Sequence, residues 1–344
     1  MPPAVGILFA ATAALSVLAC GPRTAVYEET RFVMGAAATI RAVAADDATA
    51  RRAVAAAFGA LAASERVSSY HAADSELARV NRGADAGPVV VSEELYGLLA
   101  RSLALAAATD GYFDPTIAPV VDLYRVKSER PRWPSDAEVA AARPRVGYRG
   151  VTLDARRRTV AFARAGMKLD LSAIAAGWAV DRAVVAMKGA GAVAGIVDGG
   201  GEVACFGGDG VGRPWRVGIR HPRADGLYGR VEIPEGAVAT SGDYEQRFDV
   251  DGRKFSHVFD PYSGRPAARA ASVTVFRPEA TDCATADAWS TALVVMPAAA
   301  AAKAFKRPGA PAALILRDEV GKLVEVRSGS FPEIRSVKTP GQKR

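Results

Sequence analysis

This 344-residue chain predicts an α+β fold, a single large domain of mixed, mainly antiparallel sheets flanked by helices, and three observations carry that reading. Half of the residues are hydrophobic and 24% are charged, the balance of a packed body and not of a solvated tail. Helical and strand-like segments follow one another without the regular βαβ alternation of a doubly wound sheet. No internal repeat divides the chain into modules.

The elements come in order. Residues 31–43 read as a strand. Residues 46–64 read as a helix with an acidic start and with Val54, Phe58 and Leu61 at helical spacing. Ser92 opens a second helix, with Glu93 and Glu94 in the first turn where they complement the dipole, and Gly111 lies just past its end. Ser135-Asp136-Ala137-Glu138 is a capping box for a short third helix. Residues 151–163 form a hairpin whose solvated turn carries Arg156, Arg157 and Arg158. Residues 168–171 read as a strand running into a helix at Ser172, with Val180, Val184 and Met187 as its buried stripe. Strands then dominate, over 193–197, 202–206, 215–220, 229–233, 246–259 and 272–276. The longest of these folds back at Asp251-Gly252, a strong two-residue turn signal. A helix over 281–296 and a strand pair, 312–316 with 323–326, close the domain.

The formal charge is +7, but the last ten residues hold Arg335, Lys338, Lys343 and Arg344 and no acid, leaving +3 for the rest. Such a modest excess makes no basic face, so nucleic acid is not an expected partner. Three cysteines, none in a C-x-x-C pair, offer neither a disulfide framework nor a zinc ribbon. Cys205 and Cys283 fall in an apolar strand and at a helix start, as packed thiols do. Cys20 is different. It closes an uncharged apolar run, 4–19, that ends Val17-Leu18-Ala19 and has the length of a signal-peptide apolar region. The run resembles a bacterial lipoprotein signal, although no Lys or Arg precedes it. That resemblance implies a signal peptide over 1–19 and Cys20 as a lipidated mature N-terminus. A linker over 20–30, the main domain over 31–334 and a basic tail over 335–344 complete the expected organisation. The expected location is the periplasmic side of the cell inner membrane, with a soluble periplasmic protein as the alternative.

Absent motifs narrow the chemistry. The chain has no G-x-G-x-x-G after a strand, no G-x-x-x-x-G-K-[ST] and no G-x-S-x-G, so a Rossmann site, a phosphate loop and a serine-hydrolase elbow all lack their backbone devices. His71, His221 and His257 are far apart, which points any metal site to a hard cation bound by oxygen. Such a site is visible in Asp287-Ala288-Trp289-Ser290-Thr291, where a helix places Asp287 and Thr291 on one face with Ser290 beside them. A helix whose Asp and Thr merely hydrogen-bond is the alternative. A second cluster, Leu169 to Gly177, turns into a helix whose start offers free N–H groups and carbonyls. Three turn-like clusters complete the set: Thr109 to Thr116, Ala239 to Tyr244, and Ser256 to Pro266.

In combination and order these five clusters resemble the ApbE-like FAD:protein FMN transferases. The resemblance runs from about Arg31 to Met296 and also takes in Met34-Gly35 on the first strand, Ser69-Tyr70, Asp74 to Leu77, Asn81, and the glycine turn Asp198-Gly199-Gly200-Gly201-Glu202. It implies an ApbE-like domain in which Asp287, Thr291, Ser290 and the carbonyl of Ala173 hold Mg²⁺ against the pyrophosphate of FAD, the substrate. Met34, Tyr70, Tyr112, Phe113, Asp114, Ala176, Thr240, His257 and Phe259 would surround the flavin nucleotide. Ala176 departs from the pattern, since many relatives carry Lys there and others Glu. The implied reaction moves FMN from FAD to a threonine of an acceptor flavoprotein, for example a subunit of a membrane redox complex, and releases AMP. A hydroxyl nucleophile benefits from a base, and His257 is the leading candidate because an imidazole titrates nearest the working pH; Asp243 and Asp260 are the alternatives. Two other readings share these residues: hydrolysis of FAD to FMN and AMP, and an exported FAD-binding lipoprotein without catalysis, which Ala176 favours.

Overall fold

In the computed structural model, which describes residues 24–337 apart from 127, 129, 246 and 268, eight strands cross one sheet in the order in which the chain makes them. They are β1 (Ala25–Val33), β2 (Ala36–Ala44), β3 (Ala194–Asp198), β4 (Glu202–Phe206), β5 (Gly236–Gly242), β6 (Ser272–Arg277), β7 (Ala312–Glu319) and β8 (Lys322–Ser328). Each pairs antiparallel with the next. The complexity lies in what the chain inserts between neighbours. Between β2 and β3 come α1 (Asp47–Ser68), α2 (Glu76–Gly83), α3 (Glu93–Ala108), α4 (Ala118–Tyr124), α5 (Asp136–Ala142) and α6 (Ala175–Gly189). Between β6 and β7 come α7 (Cys283–Val295) and α8 (Ala298–Ala304). The result is an α+β fold.

The sheet is covered on both faces, and period-two alternation sorts its residues between them. Along β5, Ala237 and Ala239 join the cores under the helices, whereas Val238 faces a hairpin, Trp215–Arg220 with Leu227–Ile233, on the other side. Along β7, Ala313 and Ile315 take the helix side and Leu314 and Leu316 the hairpin side. Helices α1 and α6 cover β2 to β4 through Val54, Phe58, Leu61, Val180, Val184 and Met187. Helix α7 covers β5 to β7 and is buried at every residue except Thr291. That one exposure marks where the core opens.

Several local expectations change. The strand expected over 31–43 is the hairpin β1–β2, turned at Met34 (φ 54°) and Gly35 (φ 78°). Both φ values are positive, as a type I′ turn demands, but Met is not a residue that announces one. Strand β1 starts at Ala25, inside the stretch read as linker. Residues 168–171 are not a strand, and α6 starts at Ala175 instead of Ser172. Helix α2, capped by the Ser75 side chain, and strand β5 were not anticipated; β5 reads GAVATSG, a poor strand former held by partners on both sides. The capping box at Ser135 forms with both of its hydrogen bonds, and the hairpin at Asp251-Gly252 forms between Arg247–Val250 and Arg253–Ser256. Arg335, expected in a basic tail, bridges to Arg230 and ion-pairs with Glu232 at 2.7 Å. Cys20, the signal run, Lys338, Lys343 and Arg344 lie outside the described residues.

Candidate active site

The core opens beside Thr291 into a cleft of about 200 Å³. One wall is built by α7, by β5 and by Asp170, Ser172 and Ala173 just ahead of α6, with α6 packed behind it. Asp287, 4% exposed, accepts a hydrogen bond on Oδ2 from the Gly177 N–H at 3.0 Å. In a regular helix that N–H would go to the carbonyl of Ala173, four residues back. Here Ile174, at φ −151°, breaks the helical path, and among the described residues no backbone N–H is bonded to the Ala173 carbonyl. Glycine is required at 177, because a Cβ would lie 2.6 Å from the Cys283 carbonyl oxygen and 2.8 Å from the Ala284 backbone. From β5, the Ser241 hydroxyl reaches Ser290 Oγ at 2.7 Å and Thr291 Oγ1 at 3.2 Å.

The facing wall comes from residues 112–117 and from the segment between β5 and β6. Tyr112, Phe113 and Asp114 line it, with His257, Val258, Phe259 and Pro261. The Asp114 carboxylate is committed to its loop. It accepts from the Thr116 N–H (2.8 Å), the Thr116 hydroxyl (2.6 Å) and the Tyr148 N–H (2.9 Å). His257 lies between Phe255 and Phe259 along the chain, and the rings of those two residues pack on Tyr124 with centroids at 5.8 and 4.7 Å.

The cleft is acidic at its base. Glu202, at the start of β4, lines it together with Asp287 and Glu245. Burial pushes the Glu202 carboxyl well up, and the charges of Asp287 and Glu245 push it further. Burial also pushes the Asp287 carboxyl up, opposed by the Gly177 N–H. Among the described residues no Lys or Arg forms an ion pair with Glu202, Glu245 or Asp287. Nor do the described residues contain a group of three or more His, Cys, Asp or Glu placed to hold a metal ion. Beside Thr291 the cleft offers the Asp287 carboxylate, the Thr291 hydroxyl and the Ala173 carbonyl, with the Ser241 hydroxyl adjacent. An all-oxygen set of that kind suits a hard divalent cation.

Of the residues singled out from the sequence, Ala173, Thr240, Asp287, Thr291, Tyr112, Phe113, Asp114, His257 and Phe259 meet in this cleft. Ser290 does not line it. It is fully buried, and its hydroxyl donates to the Asp287 carbonyl at 2.8 Å. Met34 packs against the two helix-side cores, and Tyr70 donates to Asp122 at 2.7 Å. Ala176, half-buried on α6, is not a lining residue. Neither are the two alternative bases: Asp243 is held by Arg223 at 2.6 and 2.7 Å, and Asp260 accepts from the Tyr262 N–H at 2.9 Å. Sequence reasoning gave no role to Ser241, Glu202, Glu245, Asp170 or Ser172, all on the wall. Four of these lie in motifs already singled out, whereas Glu245 carried no signal.

The likeness to known proteins covers this whole arrangement. A model of the ApbE family matches residues 34–315. The chain is 33% identical over 336 residues to the FAD:protein FMN transferase of Treponema pallidum (strain Nichols), spanning 92% of this chain and 91% of that one. It is 31% identical over 265 residues to that of Escherichia coli (strain K12), spanning 75% of each. Among solved structures, the ApbE protein of Thermotoga maritima superposes with a TM-score of 0.80 at 32% identity, over 89% of this chain and 98% of that one. The flavinyl transferase ApbE of Pseudomonas stutzeri, in its apo form, gives 0.78 at 30% identity, over 89% and 95%. The chain belongs to the ApbE family.

Proposed function

We propose that this protein transfers FMN from FAD to a threonine hydroxyl of an acceptor flavoprotein and releases AMP, using Mg²⁺ held by Asp287, Thr291 and the Ala173 carbonyl. One observation carries the reading: a single cleft joins an all-oxygen wall to a wall bearing a histidine and aromatic side chains. The names of the relatives, FAD:protein FMN transferases at 31–33% identity, support it. The chemistry Mg²⁺ supplies when bound is neutralisation of charge on the pyrophosphate, which eases departure of AMP.

The chain's own residues do the rest. Asp287 and Thr291 face the cleft from a helix that cannot shift without disturbing the core, so the phosphates are met by a preset wall. Tyr112, Phe113 and Phe259 offer ring surface to a flavin and exclude water from the reacting phosphorus. His257, the base candidate on the wall, takes the threonine proton as the new O–P bond forms and the P–O bond to AMP breaks. Asp243 and Asp260 serve instead as structural acceptors.

Incubating the protein with FAD and Mg²⁺, with and without a threonine-containing acceptor peptide, tests this reading. Flavin fluorescence that stays on the peptide after denaturation is the expected result. AMP release independent of peptide would mean hydrolysis, and intact FAD held without turnover would mean a binding protein.

Export, with Cys20 as a lipid anchor on the periplasmic side of the inner membrane, belongs to the same proposal, and an exported flavoprotein or a membrane redox-complex subunit is the acceptor that fits it. No helix among the described residues is long and apolar enough to cross a membrane. On this reading attachment depends on the lipid, and Cys20→Ser should move the protein from the membrane to the soluble fraction. Retention of that variant in the membrane would exclude the anchor.

A further inference from the structure

The first turn of α7 is capped from another helix. Its N-cap, Asp282, makes no capping bond, because its carboxylate is taken by Arg101, by Arg277 at 2.6 Å and by the Thr285 hydroxyl. Buried N–H groups at a helix start require an acceptor. Asp181 of α6, 8% exposed, supplies it, accepting from the Cys283 N–H at 2.7 Å and from the Ala284 N–H at 3.0 Å, one on each carboxylate oxygen. Four residues earlier on α6, Gly177 donates to Asp287 Oδ2 and lets the α7 backbone approach. Four residues before that comes Ala173. Residues 177 and 181 are thus a helical turn apart, facing the start of α7, and Ala173 stands just ahead of the helix, before the break at Ile174.

A local cap at position 282 would satisfy the same N–H groups without reference to α6. A cap delivered across the interface does more, since it fixes how far α7 can slide or turn against α6. We infer that Asp181 is a positioning residue: by capping α7 from α6 it sets the register in which Asp287 and Thr291 of one helix meet the Ala173 carbonyl preceding the other. The inference rests on the Mg²⁺ reading above. Asp181 touches neither metal nor substrate and acts through the orientation of α7.

Titration calorimetry of the full chain with Mg²⁺ alone, alongside steady-state kinetics and thermal melts, tests it. Asp181→Asn keeps the size of the side chain but only one acceptor oxygen, and should raise the Mg²⁺ dissociation constant about tenfold, leaving kcat at saturating Mg²⁺ unchanged. Asp181→Glu keeps both acceptors on a longer arm, displaces α7 and should weaken Mg²⁺ likewise, so it carries the test if the Asn variant does not fold. Val231→Ala, buried in the core under the distant hairpin, is the stability control and should lower Tm without changing Mg²⁺ affinity. A folded Asp181 variant that binds Mg²⁺ as tightly as the parent overturns the inference, as does a Val231→Ala protein equally weakened toward Mg²⁺. A parent protein that binds no Mg²⁺ at all overturns the metal reading itself.

Discussion

The wall of the cleft made by α7 and β5, backed by α6, and the wall made by residues 112–117 and 257–261 hold their polar groups in different ways. On the first, contacts run between elements far apart in sequence: Gly177 to Asp287, Asp181 to Cys283 and Ala284, Ser241 to Ser290 and Thr291. On the second, many are local, such as Asp114 with Thr116 and Asp260 with Tyr262, while Phe255 and Phe259 anchor the segment in a small aromatic cluster. A wall tied by long-range bonds is as rigid as the core behind it. A wall of locally closed turns on aromatic anchors can change one residue without moving the next.

The largest expected effect falls on the first wall. Asp287→Ala should cut Mg²⁺-dependent AMP release and peptide flavinylation by roughly a thousandfold or more, the scale of a lost transition-state charge contact. Unchanged Mg²⁺-dependent turnover in that variant would remove α7 from the site. On the second wall, His257→Asn should lower kcat by about 10²–10⁴-fold, the usual worth of a positioned base, while Mg²⁺ affinity holds. Asp243→Asn and Asp260→Asn should leave kcat near the parent value, and a large loss in either would transfer the base role from His257. The smallest effect is on stability. Ala is the better helix former, but the added Cβ of Gly177→Ala would meet backbone at 2.6–2.8 Å, so urea denaturation should show a net loss of about 1–3 kcal/mol. An equally stable variant would mean that α6 and α7 separate more freely than their bonds suggest.

Legibility from sequence followed the same division. Caps and two-residue turns could be read directly, as at Ser92, Ser135 and Asp251-Gly252, because each is a local device whose partners lie within a few residues. The hairpin at Met34-Gly35 could not, because the sheet and not the residue type imposes a positive φ on Met34. Strand β5 was missed for a related reason, its small residues being held by β4 and β6. At the site, helical spacing put Ser290 beside Asp287 and Thr291. Spacing alone does not say which side of an almost wholly buried helix faces the cleft, and Ser290 turns inward to Ser241 and the Asp287 carbonyl.

The sequence by itself determined the α+β class, the oxygen-rich character of the chemistry and most of the residues that converge, because residue type, capping and ordered motifs are written along the chain. Only the tertiary structure decided that Ser241 stands next to Thr291, that Glu202 and Glu245 share the cleft with Asp287, and that Asp181 caps a helix a hundred residues away. Such pairings depend on which backbones the packed core brings within hydrogen-bond reach.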